Sequence, residues 1–371
     1  MTNRRIVFLS AALLSVIAGF ASEQLARISI GNKLSQWRTE MVEVDASLLP
    51  KGSFIITDCN NIEVPWQLTY DNKVIFPASI APESTEIFFV KEGKPKNIDN
   101  IVYAAFYPER VDDLAWENDF AAYRAYGAAS GGGVAGYDVF TKSTTRPVVP
   151  ERYFKELVQK VSYHIDHGDG MDQYDVGATL GGGASAPIDK NGNIILPGAF
   201  SQWRILDNGP LRTTFELIYE YGGGRDIRTI SLDAGSPFNH TVCRLENISA
   251  DSIAAGIVVH KPATEDYVTG NGFAAYSDPT TGPGKGYGNI YIGVVNPTKE
   301  GGSYYRPLEK EKGTAVGHLL TTAPYTPGKD FSYYWGSSWS KGRTLTFNNW
   351  IATLKDFQLR LDSPLEINVI R

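Results

Sequence analysis

Short apolar stretches separated by polar residues run through the first hundred residues of the chain. Each stretch alternates or clusters apolar side chains and is bounded by Asn, Asp, Gly, Pro or Lys, a pattern typical of β-strands. Asp71 and Asn72 mark a tight turn between two of them. The stretches are ARISIGN, EMVEVD, SFIITD, VPWQLTY, KVIFPASI and TEIFFVKE. We therefore predict an N-terminal β-sheet region over residues 22–105, packed on the main body of the protein.

The period-two pattern returns over residues 191–300. In residues 215–221, apolar side chains alternate with Glu216, Ile218 and Glu220, which indicates a long antiparallel strand with one wetter face. About fifteen or more strand-like segments, few helical ones and no fixed-period repeat are typical of a large sandwich of two multi-stranded sheets. The predicted fold class is all-β and mainly antiparallel, with a sandwich or supersandwich over residues 106–371.

Two segments carry helical patterns. Residues 150–160, PERYFKELVQK, open on a proline, which favours the first turn of a helix. Near the C-terminus, a helix is predicted to begin at a cap on Asn348 or Asn349 and to end before Pro364. Its apolar face consists of Trp350, Leu354, Phe357 and Leu361. The last residues, PLEINVIR, return to a strand.

Composition narrows the class of protein. The chain has 371 residues, of which 42% are hydrophobic and 20% charged, with a formal net charge of −6. The apolar fraction excludes a disordered chain, and the acidic balance argues against a nucleic-acid partner, which needs a basic face. Only two cysteines are present, Cys59 and Cys243, so stability must come from a hydrophobic core. They either form a disulfide or remain free thiols.

The N-terminal segment has the pattern of a targeting sequence. Arg4 and Arg5 precede an apolar run over residues 6–18, and small residues lead up to Ala21. We predict a secretory signal peptide over residues 1–21 and a periplasmic protein with no membrane contact after cleavage. The alternative, a membrane anchor, is disfavoured because the apolar run is shorter than the roughly 20 residues of a membrane span.

The densest group of chemically active residues lies in YHIDHGDGMDQY, residues 163–174. If its start is a strand, His164 and Asp166 face the same side and either bind a divalent metal or form a histidine oriented by a carboxylate for proton transfer. Asp172 and Tyr174 add two further polar groups. The alternative is a polar turn in which Asp and Gly serve backbone geometry. A divalent metal is therefore an open possibility, and no other cofactor is predicted.

A second cluster is WENDFAAYRAYG, residues 116–127. Arg124 has the geometry to bind a substrate carboxylate, and Trp116 has a face on which a sugar ring can stack. Substrate contacts are also assigned to the polar residues that follow the tryptophan, Glu117, Asn118 and Asp119. The alternative is structural, with Arg124 paired to one of these carboxylates and Trp116 in the core.

Two further candidates lie later in the chain. His260 and Lys261 end an apolar strand, where a polar pair suits either a site or a surface terminus. Tyr333 and Trp335 share one face of a strand, which suits either a sugar platform or ordinary core packing.

The order of these motifs resembles a secreted bacterial family catalogued as a domain of unknown function. The most specific parts are WENDFAAYRAYG and YHIDHGDGMDQYDVG, and the resemblance covers essentially the whole chain after the predicted signal peptide. It implies a galactose-mutarotase-like supersandwich and a setting in polysaccharide-utilisation loci. It further implies an activity similar to that of a relative that removes water from the terminal uronic acid of ulvan oligosaccharides and leaves a 4,5-unsaturated uronate.

Such an elimination needs a group that neutralises the uronate carboxylate, a base for the C5 proton and an acid for the leaving 4-hydroxyl. We assign Arg124 as the neutralising group, helped by Asn118 or Lys261. His164 or Tyr174 is the base, and the other of the two, or His260, is the acid. Orientation of His164 is assigned to one of two carboxylates, Asp166 or Asp172.

Three alternatives stay open at this point. A glycoside hydrolase would need two carboxylates, for which Glu117 and Asp172 are the candidate pair. A sugar epimerase or mutarotase would need only an acid and a base. A non-catalytic glycan-binding protein would depend on Trp116 and Trp335. In each case the expected partner is an oligosaccharide, and the oligomeric state has no signature in the sequence.

Overall fold

A computed structural model describes residues 24–131 and 133–371, and the predicted signal peptide lies outside them. Strands dominate the chain, with two α-helices, α1 (Val149–Phe154) and α2 (Phe347–Asp362). The strands are β1 (Gln24–Gly31), β2 (Arg38–Asp45), β3 (Phe54–Thr57), β4 (Glu63–Val64), β5 (Gln67–Leu68), β6 (Lys73–Ile80), β7 (Thr85–Glu92), β8 (Tyr103–Tyr107), β9 (Asp113–Glu117), β10 (Ala122–Ala125), β11 (Asp138–Phe140), β12 (Gly182–Ile188), β13 (Gln202–Asn208), β14 (Arg212–Tyr221), β15 (Gly224–Asp233), β16 (Phe238–Glu246), β17 (Ser252–His260), β18 (Tyr267–Gly270), β19 (Phe273–Asp278), β20 (Ile290–Val295), β21 (Ser303–Lys312), β22 (Ala315–Pro324), β23 (Phe331–Trp339) and β24 (Glu366–Ile370).

The N-terminal region is a small sandwich with its own core. One sheet has the order β24-β1-β7-β3-β4 and the other the order β2-β6-β5. Alternate side chains of β1 and β2, such as Ile28 and Val42, point into the shared core because successive residues of a strand face opposite sides. The C-terminal strand β24 pairs with β1, placing Val369 opposite Ile28. The end of the chain, predicted within the main body, therefore belongs to the N-terminal sheet.

The main body is a large antiparallel sandwich. An eight-stranded sheet has the order β13-β14-β15-β16-β23-β20-β19-β18. Two four-stranded sheets, β11-β10-β9-β8 and β12-β17-β22-β21, contribute to the same hydrophobic core. Within the described residues, the named strands of these sheets pair antiparallel. The predicted all-β sandwich class is confirmed.

The β8–β11 sheet positions the candidate site. On β9 and β10, Trp116 and Tyr123 point into the sandwich core, so their neighbours Glu117 and Arg124 point to the outer face. That outer face is covered by α1 and by the loop that follows it, which together form a second, smaller core around Tyr163. Charged side chains on this face are therefore buried although they lie outside the main core.

The two helices follow the predicted pattern with differences at their ends. Helix α1 continues as one turn of π-helix over Lys155–Gln159, so the predicted segment 150–160 is helical but not uniformly α-helical. Helix α2 is capped by Thr346, whose hydroxyl accepts from the N–H of Asn349 at 3.2 Å. The predicted cap on Asn348 or Asn349 is wrong, because both residues already lie in the first turn.

The structure shows the state of the two cysteines, whereas residues 1–21, on which the choice between signal peptide and membrane anchor depends, lie outside the described residues. Cys59 is exposed and Cys243 is buried, and both are free thiols. Within the described part of the chain, no helix is long and apolar enough to cross a membrane.

Candidate active site

Arg124 is the centre of a buried cluster of carboxylates on the outer face of the β8–β11 sheet. It stands directly opposite Asp138 in the β10–β11 register, and its guanidinium contacts that carboxylate through Nε at 3.0 Å and also through Nη2. Nη2 lies 3.0 Å from Oδ2 of Asp172, and Nη1 lies 3.6 Å from Oδ2 of Asp113. All four side chains are almost completely buried. One guanidinium therefore faces three carboxylates.

Burial sets the protonation of the cluster, in which Arg110 is a second cation, with Nη1 4.0 Å from Oδ2 of Asp113. Burial raises the pKa of Asp113 to about 7 and, together with the adjacent Asp138, raises the pKa of Asp172 to about 7 as well. Burial alone would lower the pKa of Arg124, but the neighbouring carboxylates outweigh it and the pKa is raised well above its usual range. At neutral pH Arg124 is therefore charged, while Asp113 and Asp172 are poised to take up protons.

The loop after α1 brings a histidine to this cluster. The N–H of Asp172 donates to the carbonyl of Tyr163 at 2.9 Å, and Asp172 forms a β-bridge with Phe140, which ties the loop to β11. The Nδ1 atom of His164 lies 2.9 Å from the carbonyl oxygen of Asp172. Because a carbonyl only accepts, Nδ1 carries the hydrogen, and the neutral ring then has its lone pair on Nε2. The His164 side chain is 52% exposed.

Tyr174 and His260 form a second group next to the cluster. Their rings pack edge to face at 5.9 Å, and Oδ2 of Asp278 lies 2.7 Å from Nδ1 of His260. Neither the buried Tyr174 hydroxyl nor Nε2 of His260 has a hydrogen-bond partner among the described residues. Burial raises the pKa of Tyr174 well above its usual range, so the hydroxyl is protonated at neutral pH.

These groups open into one cavity, which we call the Arg124 pocket. Its volume is about 250 Å³. The lining consists of Arg124, Tyr126, Val134, Asp138, His164, Asp172, Tyr174, Asp175, Val176, Gly177 and Thr281. Four of the candidates proposed from sequence, Arg124, His164, Asp172 and Tyr174, therefore meet in one place. His260 contacts Tyr174 from behind without lining the cavity.

The residues that follow Trp116 have structural roles. The Glu117 carboxylate pairs with the buried ammonium of Lys142 at 2.7 Å and accepts from the N–H groups of Val148 and Val149. Asn118 is buried, and its amide donates to two backbone carbonyls of the β15–β16 turn. Neither residue lines the Arg124 pocket, so the assignment of Glu117 and Asn118 to it is corrected. The suggested hydrolase pair of Glu117 with Asp172 is not assembled.

The remaining member of that motif, Asp119, is also engaged. Its carboxylate accepts from the N–H of Gly235 at 2.8 Å and lies 3.2 Å from Arg343. Lys261 is exposed and pairs with Glu311 at 2.7 Å. Neither Asp119 nor Lys261 lines the Arg124 pocket. Both are predicted from the sequence to contact the substrate, and the structure places them outside the pocket.

The candidate sugar platforms are core residues. Trp116, Tyr333 and Trp335 are completely buried, and Trp116 packs against Trp335 edge to face at 6.1 Å. The indole N–H of Trp116 donates to Asn239 at 2.7 Å. Because no face of these rings reaches solvent, they cannot stack on a sugar, and the structural alternative applies.

The suggested metal pair does not come together as ligands. Oδ1 of Asp166 accepts from the N–H groups of Gly168 and Gly170, as in a polar turn, while His164 is held by the Asp172 carbonyl. Within residues 24–131 and 133–371, no group of three His, Cys, Asp or Glu side chains is arranged to hold a metal ion. Orientation of His164 is thus tied to Asp172, not to Asp166.

Several residues of the site were not identified from the sequence. Asp113 and Asp138 lie on β9 and β11, where period-two alternation places them on the same face as Arg124 once the pairing is known. His260 ends β17 and Asp278 ends β19, strands of two different sheets, so the packing of the sheets brings the two side chains together, and the sequence carries no local signal for it. Tyr126 lies in the motif of residues 116–127, which is the signal that could have identified it. Its hydroxyl donates to Asp138 at 2.7 Å.

The chain belongs to the family described as Domain of unknown function (DUF4861), which matches residues 30–367. A relative from Formosa agariphila, called Uncharacterized protein P7, is 26% identical over 322 residues, covering 80% of this chain and 78% of the relative.

Two solved structures from Enterococcus faecalis are similar to this chain. One, a protein in glycosyl hydrolase family 38, has a TM-score of 0.50 and 8% identity over 94% of this chain and 48% of its own. The other, an alpha-mannosidase of strain V583, has a TM-score of 0.49 and 9% identity over 94% of this chain and 46% of its own. The chain thus spans about half the length of these two proteins. The similarity to the glycosyl hydrolase family 38 protein shows a shared fold and nothing further.

Proposed function

We propose that this protein is a carbohydrate-active enzyme that eliminates water from the terminal uronic acid of an oligosaccharide, giving a 4,5-unsaturated uronate. The observation that carries the proposal is that His164 and Tyr174, two groups suited to opposite proton transfers, line the same small pocket beside Arg124. Support for a sugar substrate comes from the motif resemblance and from the similar fold of a glycosyl hydrolase family 38 protein.

The size of the pocket favours a terminal residue over a chain bound along its length. Its volume of about 250 Å³ is below the range of about 300–1,000 Å³ that is usual for drug-sized ligands. A single sugar ring is a better match for that space than several linked rings. The substrate therefore enters by its end, as an elimination at a terminal uronate requires.

The geometry supports one assignment of the two proton transfers that sequence left open. His164 holds its hydrogen on Nδ1, so Nε2 is the base that takes the C5 proton. Tyr174 is protonated, so its hydroxyl gives a proton to the leaving 4-hydroxyl as the C4–O bond breaks and the C4–C5 double bond forms. Water leaves, and the proton on His164 returns to Tyr174 through solvent. His260 is a positioning residue behind Tyr174.

Neutralisation of the uronate carboxylate needs a revised assignment. Arg124 is already compensated by Asp138, so it does not meet the substrate as a free cation. A proton on Asp172 changes this, because the neutral acid donates a hydrogen bond to the uronate while Arg124 supplies nearby positive charge. The raised pKa of Asp172 makes that proton available near neutral pH.

Hydrolysis is a second candidate, favoured by one observation. Asp138 and Asp172 both line the pocket and contact the same nitrogen of Arg124, so two carboxylates are close together. Glycoside hydrolases use such pairs as acid and nucleophile or base. The products separate the two reactions, since hydrolysis releases a new reducing end whereas elimination removes about 18 mass units, the mass of water, and creates an ultraviolet-absorbing double bond.

The test is an ultraviolet and mass-spectrometric assay on a panel of uronic-acid oligosaccharides, including ulvan fragments, with and without chelator. We expect water loss that persists with chelator and falls at least about 100-fold in His164→Ala and in Tyr174→Phe. His167→Ala is the matched control, because His167 is a nearby exposed histidine outside the pocket. Full activity in both pocket variants would refute the proposal, and loss of activity with chelator would reassign His164 to a metal.

A further inference from the structure

A larger cleft lies between the N-terminal sandwich, helix α2 and the eight-stranded sheet. Its volume is about 660 Å³, and among the described residues none lines both this cleft and the Arg124 pocket. The N-terminal wall includes Trp37, which is 65% exposed. The opposite wall comes from α2, including Trp350 and Arg360. We call it the Trp37 cleft.

Two features of the Trp37 cleft point to a ligand. Trp350 is completely buried in its wall, yet its indole N–H has no hydrogen-bond partner within the described chain. A buried donor of this kind is costly unless something accepts from it. At the rim, an aromatic face of Trp37 is exposed to solvent, although exposure of a large apolar side chain does not stabilise the fold.

The charged groups of the cleft are held in ion pairs. Arg212 pairs with Asp233 and with Glu43, and Arg360 lies 3.6 Å from Glu40 and also pairs with Asp356. These fixed groups present donors and acceptors side by side, and the lining has more carboxylates than arginines, so it has no excess of positive charge. Such a surface suits neutral hydroxyl pairs better than a carboxylate or sulfate.

The floor of the cleft is aromatic and uncharged. His240 stacks on Tyr334 at 4.5 Å, and burial lowers the pKa of His240 to about 4, so the ring is neutral at physiological pH. At the side, Arg343 lies over the ring of Phe120 at 4.1 Å. Phe120 belongs to the WENDF motif, whose tip thus lines this cleft.

We propose that the Trp37 cleft is a second carbohydrate-binding site, which takes a neutral oligosaccharide segment. The exposed indole stacks on the C–H face of a pyranose, the fixed ion pairs bind its hydroxyls, and the unpartnered Trp350 N–H donates to a sugar oxygen. The site is independent of the pocket chemistry, so it stands whether the enzyme eliminates water or hydrolyses a bond.

The test is isothermal titration calorimetry with xylohexaose, cellohexaose and mannohexaose, and with trigalacturonate as the anionic comparison. We expect at least one neutral hexasaccharide to bind and Trp37→Ala to weaken that binding about tenfold or more, whereas binding of trigalacturonate, whose terminal uronate fits the Arg124 pocket, should be unchanged in Trp37→Ala. Trp203→Ala is the matched control, because Trp203 is an exposed tryptophan outside the cleft (41%). His164→Ala should keep the binding, which separates the cleft from the Arg124 pocket.

Two results would overturn the inference. One is the absence of binding by all three neutral hexasaccharides. The other is binding that survives Trp37→Ala but is lost in His164→Ala, which would place the sugar in the Arg124 pocket. Failure of the elimination assay with intact hexasaccharide binding would contradict the proposed function and leave the cleft proposal standing.

Discussion

Arg124 and Asp138 face each other across the β10–β11 ladder, and the ion pair between them takes up the guanidinium charge before any substrate arrives. This relationship changes the chemistry expected of Arg124. An arginine so compensated acts by holding carboxylates in place and by controlling their protons, whereas a free one would bind the substrate carboxylate outright. Under the proposed function, the proton on Asp172 is therefore the variable that decides whether a uronate is accepted.

The free energy of unfolding should depend on pH because the pKa of two buried carboxyl groups is raised. The folded-state pKa of Asp172 is about 7, above the value of about 3.9 for an unfolded chain, so between these values the folded protein binds more protons. The free energy of unfolding should therefore increase as pH falls from about 7 toward 4. Urea titrations across that range should show this slope, reduced in Asp172→Asn.

Asp113 contributes to the same slope, because burial raises its pKa to about 7 as well. Asp113→Asn should therefore remove a further part of the pH dependence. Asp330→Asn, which changes a surface carboxylate paired with Arg244, should leave the slope intact. A slope unchanged in both cluster variants would contradict the assigned protonation.

The buried pair of Glu117 and Lys142 should be structural. Glu117→Gln leaves the Lys142 ammonium without its carboxylate in a completely buried position, which typically costs about 3–5 kcal/mol. Activity per folded molecule should be retained, since Glu117 is outside the Arg124 pocket. Chemical denaturation and the water-elimination assay measure the two quantities on the same sample.

An exposed ion pair provides the control for Glu117. Glu246→Gln removes a partner of Arg225 at the surface and should cost less than about 1 kcal/mol. If Glu117→Gln abolished activity while leaving stability intact, Glu117 would belong to the reaction after all.

Tyr174→Phe should separate activity from stability. The variant removes a buried hydroxyl that has no partner within the described chain, so the free energy of unfolding should stay the same or rise. Elimination should fall by about 100-fold or more, because the proton for the leaving group is lost. Tyr221→Phe, which removes a buried hydroxyl on β14 outside the pocket, should retain activity. Equal losses in both variants would indicate a general effect of hydroxyl removal.

The fold was largely predictable from local pattern. Period-two alternation identified strands over residues 22–105 and 191–300 but not β9 to β12, which lie between them. Trp350 and Leu354 were correctly placed on the buried face of α2. The pairing of β24 with β1 was not predictable, because it joins opposite ends of the chain. The cap on Thr346 was missed because threonine and the two following asparagines all carry suitable side chains.

The site was predictable where two short motifs supplied it, residues 116–127 with Arg124 and residues 163–174. His164, Asp172 and Tyr174 lie within eleven residues and do meet in one pocket. Trp116 and Trp335 were ambiguous, because strand alternation does not tell the face that enters the core from the face that meets solvent. The long-range pairing of the strands determines which face is buried in the main core. Because Trp116 points into that core, Glu117 and Asp113 on the same strand point to the outer face, beneath α1.

Asp278 should influence catalysis without touching the substrate. Its carboxylate accepts a hydrogen bond from Nδ1 of His260, so in the neutral form of the ring that packs against Tyr174 the lone pair is on Nε2. Asp278→Asn can accept or donate at that position, so the tautomer is no longer fixed. We expect kcat to fall about tenfold or more with KM nearly unchanged, and the pH profile of kcat to shift. Asp266→Asn, an exposed change nearby, should alter neither quantity. A rise in KM alone would instead place Asp278 in substrate binding.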